Sequence, residues 1–172
     1  MKKSQIRKKF LKLRENKLKK IKSINHNNII KLLKIKGIRG KIVGGYYPYN
    51  NELDCIQILK KLEKKNYIIS LPKIKKNFQM DFIQWSPKEP LVINKYGIPE
   101  PSNGKIKFPN ILLIPLLSFD KKLNRVGYGG GFYDRYIHRI KRKKNHFLLD
   151  WHILFKELKV SLLTDLTKNL IL

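Results

Sequence analysis

The stretch that most constrains this chain is RVGYGGGFYDR, Arg125 to Arg135. Gly127, Gly129, Gly130 and Gly131 stand within five positions. Glycine carries no Cβ, so such a loop can bring its backbone N–H groups close around an anion. The run before it, Ile111 to Pro115, reads as a buried strand. Tyr133 to Arg142 reads as a helix. Strand, glycine loop and helix N-terminus together form an anion site. No Lys-Ser or Lys-Thr pair follows the glycines, so this is not a Walker loop. Nor does it have the glycine spacing and later acid of a dinucleotide fold.

The side chains around the loop suit phosphate chemistry. Arg125 can add charge-assisted bonds to phosphate oxygens. Asp134 can hold Mg²⁺, which binds through one or two carboxylates plus substrate phosphates. Phe132 and Tyr133 can cover a flat ring. The same residues also describe a plain glycine turn with two core aromatics and an acid at a helix start. The motif alone leaves both readings open.

A chain of 172 residues that is 42% hydrophobic suits one globular domain, taken here as 1–172. The sequence has no run of about 18 apolar residues, so no membrane span is expected. The N-terminus lacks the apolar segment of a secretion signal. One cysteine, Cys55, offers no disulfide frame and no thiolate metal site. A cytoplasmic monomer is the expectation. The net charge of +27 raises the question of nucleic acid. Lysine, isoleucine and asparagine are abundant in every segment, however, and no nucleic-acid signature appears. Compositional bias is the favoured account. Either way, the field attracts anionic small substrates.

Taken in order, residues 3–22 read as an amphipathic helix with Ile6, Phe10 and Leu13 at helical spacing. Lys3 and Arg7 are neighbours on one face and can clamp a polyphosphate, or form an ordinary solvated basic face. Asn27 to Ile35 suggests a short second helix. Lys41 to Tyr47 reads as a strand in which Gly44 and Gly45 mark a bulge or a close approach. Asn51 is placed to cap a helix beginning near Glu52, with Glu52 and Asp54 as first-turn acids. Ile56, Leu59 and Leu62 form its buried stripe. Tyr67 to Pro72 reads as a strand covered on both faces. This strand–helix–strand order predicts a parallel unit. Phe78 to Trp85 reads as an edge or hairpin strand. Prolines at 87, 90, 99 and 101 exclude a long helix from 86 to 110. Phe147 to Phe155 can supply a last strand. The four histidines show no metal-ligand spacing. Cys55 reads as core, not nucleophile.

Four separated segments then resemble one family in order. They are KSQIR (Lys3 to Arg7), GGYYPYNNELD (Gly44 to Asp54), YGIPEP (Tyr96 to Pro101) and IPLLSFDKKLNRVGYGGGFYDRYI (Ile114 to Ile137). The family is 5-formyltetrahydrofolate cyclo-ligase, also called methenyltetrahydrofolate synthetase. The resemblance implies an α/β fold of three layers, α/β/α, with a mostly parallel central sheet. It also implies an ATP- and Mg²⁺-dependent closure of 5-formyltetrahydrofolate to 5,10-methenyltetrahydrofolate.

By the same resemblance, Lys3, Ser4, Gln5, Ile6 and Arg7 form the N-terminal ATP clamp. Arg125, Val126, Gly127, Tyr128, Gly129, Gly130, Gly131, Phe132 and Tyr133 form the nucleotide loop. Tyr128 to Phe132 also present the loop's folate side. Glu52 recognises the pterin edge and Tyr47 contacts the folate. Asp134 is the metal carboxylate, and Asp165 a late acid near the metal. Phe132 stands where the family often has Tyr. Leu116 and Ser118 replace a Gly and an Ala. Near the chain's end, Asn169 stands where the family has a second acid. Two other readings stay in play: a basic nucleic-acid-binding module, and a family member that binds nucleotide or folate without turnover.

Overall fold

The computed structural model describes residues 3–17, 40–49, 52, 54–119 and 125–141. The expected helix at 27–35, the strand at 147–155, Asn51 and Asp165 lie outside them.

Helix α1 spans Lys3–Lys17. Strand β1 (Ile42–Gly44) is followed by helix α2 (Ile56–Glu63) and strand β2 (Ile68–Ile74). Strand β3 (Met80–Gln84) returns beside β2, after a 3-10 turn at Lys76–Phe78. The short strands β4 (Leu91–Ile93) and β5 (Pro99–Pro101) pair as a hairpin. Strands β6 (Ile106–Lys107) and β7 (Ile111–Leu112) follow. Strands β8 (Ser118–Phe119) and β9 (Arg125–Val126) form a second hairpin. Helix α3 spans Phe132–Lys141.

The central sheet has the order β6-β3-β2-β1-β7. Strand β1 pairs in parallel with both β2 and β7. The sheet then continues antiparallel through β3 and β6. The chain thus has the expected α/β fold, with its parallel part centred on β1. Phe78 to Trp85 does supply the hairpin strand β3, but β6 covers its other side, so it is not an edge.

Two apolar clusters fill the two faces of the sheet. On one, Ile58, Leu59 and Leu62 of α2 meet Val43, Ile69, Leu71, Trp85 and Ile111. On the other, Tyr136 and Ile140 of α3 meet Met80, Phe82, Leu112 and Ile114. Side chains alternate along a strand, so Ile111 and Leu112 serve opposite faces. The glycines of β1 serve this packing. A Cβ on Gly44 would lie 2.5 Å from Leu112 and 2.7 Å from Phe82, and one on Gly45 2.5 Å from Leu59. The close approach expected at this pair is made by neighbouring side chains.

Helix α2 begins four residues later than its sequence pattern suggests. Glu52 is not in its first turn. The Glu52 N–H donates to the Tyr49 carbonyl (3.1 Å), and the Glu52 carboxylate accepts from the Tyr49 N–H (3.0 Å). This reciprocal pair closes a turn at 49–52 and leaves Glu52 outside the helix. Asp54 instead accepts from the Ile56 N–H at 2.8 Å, and Cys55 takes the N-cap position. An acid two residues before a helix has found a turn to cap.

Candidate functional site

The three parallel strands define one edge of the sheet. Chain leaves β1 into residues 45–52, β2 into the turn at 76–78, and β7 into the run toward the glycine loop. In open α/β sheets the crevice beyond these carboxyl ends is where ligands bind.

The glycine loop lies between hairpin β8–β9 and α3. In that hairpin Ser118 pairs with Val126 and Phe119 with Arg125. Gly129 (φ +109°) and Gly131 (φ +65°) sit in the left-handed region that favours glycine. Gly127 has open space where a Cβ would be, whereas one on Gly130 would meet the Phe132 ring at 2.9 Å. The four glycines therefore answer to different constraints.

Arg7 reaches this loop from the far end of the chain. Its Nε donates to the Gly127 carbonyl at 3.0 Å, across 120 residues of sequence. Its guanidinium carbon lies 3.3 Å from where a Gly129 Cβ would stand. Phe10, one turn on, is buried and anchors α1. Lys3, Ser4 and Gln5 are exposed, and Ile6 is half-buried. The sequence expectation put Arg7 and the loop in one place, and they are.

Arg125 and Asp134 form an ion pair across the loop. The Arg125 side chain is largely covered, and burial lowers its pKa. Asp134 is 73% exposed and lies in the first turn of α3, where a negative charge is favoured. Among the described residues, no three His, Cys, Asp or Glu side chains gather as a metal site. One exposed carboxylate beside an anion loop does suit an ion that arrives with substrate phosphates. It does not suit a resident protein cage.

Tyr133 links the loop to the turn after β1. Its ring packs edge-on to Phe82, with centroids 6.4 Å apart. Its hydroxyl is buried and has no hydrogen-bond partner among the described residues. Burial pushes that hydroxyl well above its ordinary pKa. Cys55 and Glu52 push it the same way and Arg125 pulls it down. Tyr47, half-buried, lies on the same connection as Glu52.

Cys55 is buried in the core, and its thiol donates to the Tyr46 carbonyl at 3.0 Å. Burial pushes the thiol up to about 12, which suits core packing and not nucleophilic attack. His138 is exposed on α3.

The rim includes residues that sequence reasoning passed over. Phe132 meets Phe78 (6.1 Å) and Tyr96 (5.8 Å). The Tyr49 hydroxyl borders Gly97. Turn residues at 78 and 96 carry no sequence signal that aims them at a loop 35 to 55 positions later. Only the β2–β3 and β4–β5 hairpins bring them there.

These features define an α/β protein with a glycine-rich loop beside a sheet whose parallel strands centre on β1. Comparison with known proteins narrows the class. The chain belongs to the 5-formyltetrahydrofolate cyclo-ligase family, whose sequence model matches residues 1–157. A 5-formyltetrahydrofolate cyclo-ligase of Haemophilus influenzae is 33% identical over 113 residues, 61% of this chain and 60% of that protein. A probable one of Schizosaccharomyces pombe is 39% identical over 82 residues, 44% of this chain and 39% of that protein. The matched stretches thus span under two thirds of these relatives. The solution structure of Aquifex aeolicus 5,10-methenyltetrahydrofolate synthetase superposes with a TM-score of 0.62 at 28% identity. It covers 81% of this chain and 73% of that one. A Mycoplasma pneumoniae 5,10-methenyltetrahydrofolate synthetase shares the fold (TM-score 0.58, 22% identity, 83% and 81% covered).

Proposed function

We propose that this protein converts 5-formyltetrahydrofolate to 5,10-methenyltetrahydrofolate at the expense of ATP, releasing ADP and phosphate. Family membership supplies the reaction class. The observation that carries the reading for this chain is the guanidinium of Arg7 on the glycine loop. Two cationic elements, α1 and the loop with Arg125, converge where a polyphosphate can lie.

The formyl oxygen attacks the γ-phosphorus and ADP leaves. The neighbouring amine nitrogen then attacks the formyl carbon. The C–O bond breaks, and the oxygen departs on phosphate. Such transfers need positioning and charge neutralisation, not a protein nucleophile. That suits a crevice whose cysteine is a buried core thiol.

In this scheme Lys3 and Arg7, with Ser4, Gln5 and Ile6 between them, clamp the phosphates. Residues 125–133 cradle them from the other side. Bound Mg²⁺ would neutralise phosphate charge, and Asp134 is the carboxylate placed to hold it. To do so Asp134 must share or leave Arg125, which frees that guanidinium for the phosphates. Glu52 accepts hydrogen bonds from the pterin edge, and Tyr47 packs on the folate.

The test is appearance of the methenyl chromophore with MgATP. Asp134→Asn is expected to lower turnover about a hundredfold or more. No product from wild-type protein, together with no binding of ATP by calorimetry, removes the reading. Binding without product leaves a folate or nucleotide binder.

A further inference from the structure

Arg135 engages two segments that are far apart in sequence. Its Nε donates to the Phe78 carbonyl at 3.0 Å. Its Nη2 donates to the Gly130 carbonyl. Its guanidinium carbon lies 5.7 Å from the centre of the Phe78 ring and 5.5 Å from that of Phe132. One planar cation thus bonds two carbonyls and contacts two aromatic rings.

The turn it holds is strained. Asn77 and Phe78 have φ of 55° and 54°. Asparagine tolerates that region, but a bulky aromatic there is an outlier that its surroundings must hold in place. Phe78 is also 58% exposed, so burial does not hold it. Two backbone bonds close the turn, from the Lys75 N–H to the Gln79 carbonyl (2.8 Å) and from the Gln79 N–H to the Lys76 carbonyl (3.2 Å), and the contacts of Phe78 to Arg135 and Phe132 hold its side chain.

The bond to Gly130 has a directional result. A carbonyl and the following N–H share one peptide plane and point in opposite directions. Drawing the Gly130 oxygen toward Arg135 turns the Gly131 N–H away from it. Arg7 does the same at the other end, where its bond to Gly127 aims the Tyr128 N–H. A guanidinium thus orients each end of the glycine loop.

We infer that Arg135 and Phe78 form a clasp that positions the second half of the glycine loop, so that the strained β2–β3 turn helps set nucleotide affinity. Arg135 acts as a positioning residue, through the loop peptides and not on the substrate. The effect on affinity rests on the nucleotide reading above. The effect on the loop does not.

The experiment compares wild type, Arg135→Gln, Arg135→Lys and Phe78→Asn by amide hydrogen exchange over 128–132 and by the KM for ATP. Arg139→Gln is the control. Arg139 bonds Met80 and Asp81 one turn along α3, and its loss should lower Tm without moving that KM. Arg135→Gln is expected to speed loop exchange and raise the KM about tenfold. Lysine cannot bridge two carbonyls in a plane, so Arg135→Lys should not rescue. Phe78→Asn relieves the φ strain and removes the ring. It should keep or raise Tm while weakening ATP, a split that loss of fold cannot produce. Unchanged loop exchange in both Arg135→Gln and Phe78→Asn overturns the clasp. Faster exchange with unchanged KM overturns its role in affinity. Faster exchange in a protein that binds no ATP supports the clasp and removes the nucleotide reading instead.

Discussion

Ser118 is fully buried, and its hydroxyl has no partner among the described residues. An unpaired buried hydroxyl costs stability that a methyl group in its place does not. Ser118→Ala should therefore raise unfolding stability by about 1 kcal/mol in urea titrations, and a loss instead would show a hidden bond. The position stood out in the sequence only through the resemblance, as a Ser where Ala is usual. Cys55 was legible from its apolar neighbours alone. With its thiol held near 12, it should resist alkylation at pH 8 in the folded protein and react once urea unfolds it. Fast labelling of the native state would contradict its burial. Glu52 was visible as an acid near a strand end. Its turn partner, Tyr49, was not, because a reciprocal bond within four residues leaves the same composition as a first helical turn.

Among the described residues one helix packs on each face of the sheet, and the two fastenings differ in kind. Helix α2 is held chiefly by burial, with Leu59 fully covered and the Gly45 backbone lying against it. Leu59→Ala should cost about 2–5 kcal/mol, measured by denaturant unfolding. Helix α3 adds charge to burial. Asp81, on β3, accepts from Arg139 and pairs with Lys75. Burial works to raise the Asp81 carboxyl, but the two cations outweigh it and the net shift is downward. A carboxyl lower in the folded state contributes stability above its unfolded pKa of about 4. That contribution fades as pH falls through the folded value. Asp81→Asn should thus lower stability at neutral pH and flatten its acid dependence. A parallel loss at every pH would refute the linkage. The apolar run of β2, the strand at β3 and the apolar stripe of α2 were readable from the sequence. The β8–β9 hairpin was not, since two-residue strands are too short to show a period.

At the scale of the whole molecule, the site is a product of topology. Parallel pairing of β1 with β2 and β7 sends three connections to one edge. The strand–helix–strand order announced the first of these pairings. The hairpin strand β3 was announced as well, but its pairing with β6 and the hairpin carrying Tyr96 were not. The net charge of +27 acts at this scale too. Long-range attraction of polyphosphate is screened by salt, with a Debye length of about 10 Å at 0.1 M. The KM for ATP should rise steadily between low and moderate ionic strength, while a flat profile would confine recognition to short-range contacts.

The contact between Arg7 and Gly127 also sets a timetable. Helix α1 leaves the ribosome before its partner, which is made 120 residues later. At translation rates of about 5–20 residues per second, that interval is roughly 6–24 seconds. Through it, Arg7 has no loop to bond. The nascent chain must carry an undocked helix until the glycine loop has been synthesised. A pause or truncation before Gly127 would strand that helix, however well the sheet had already formed.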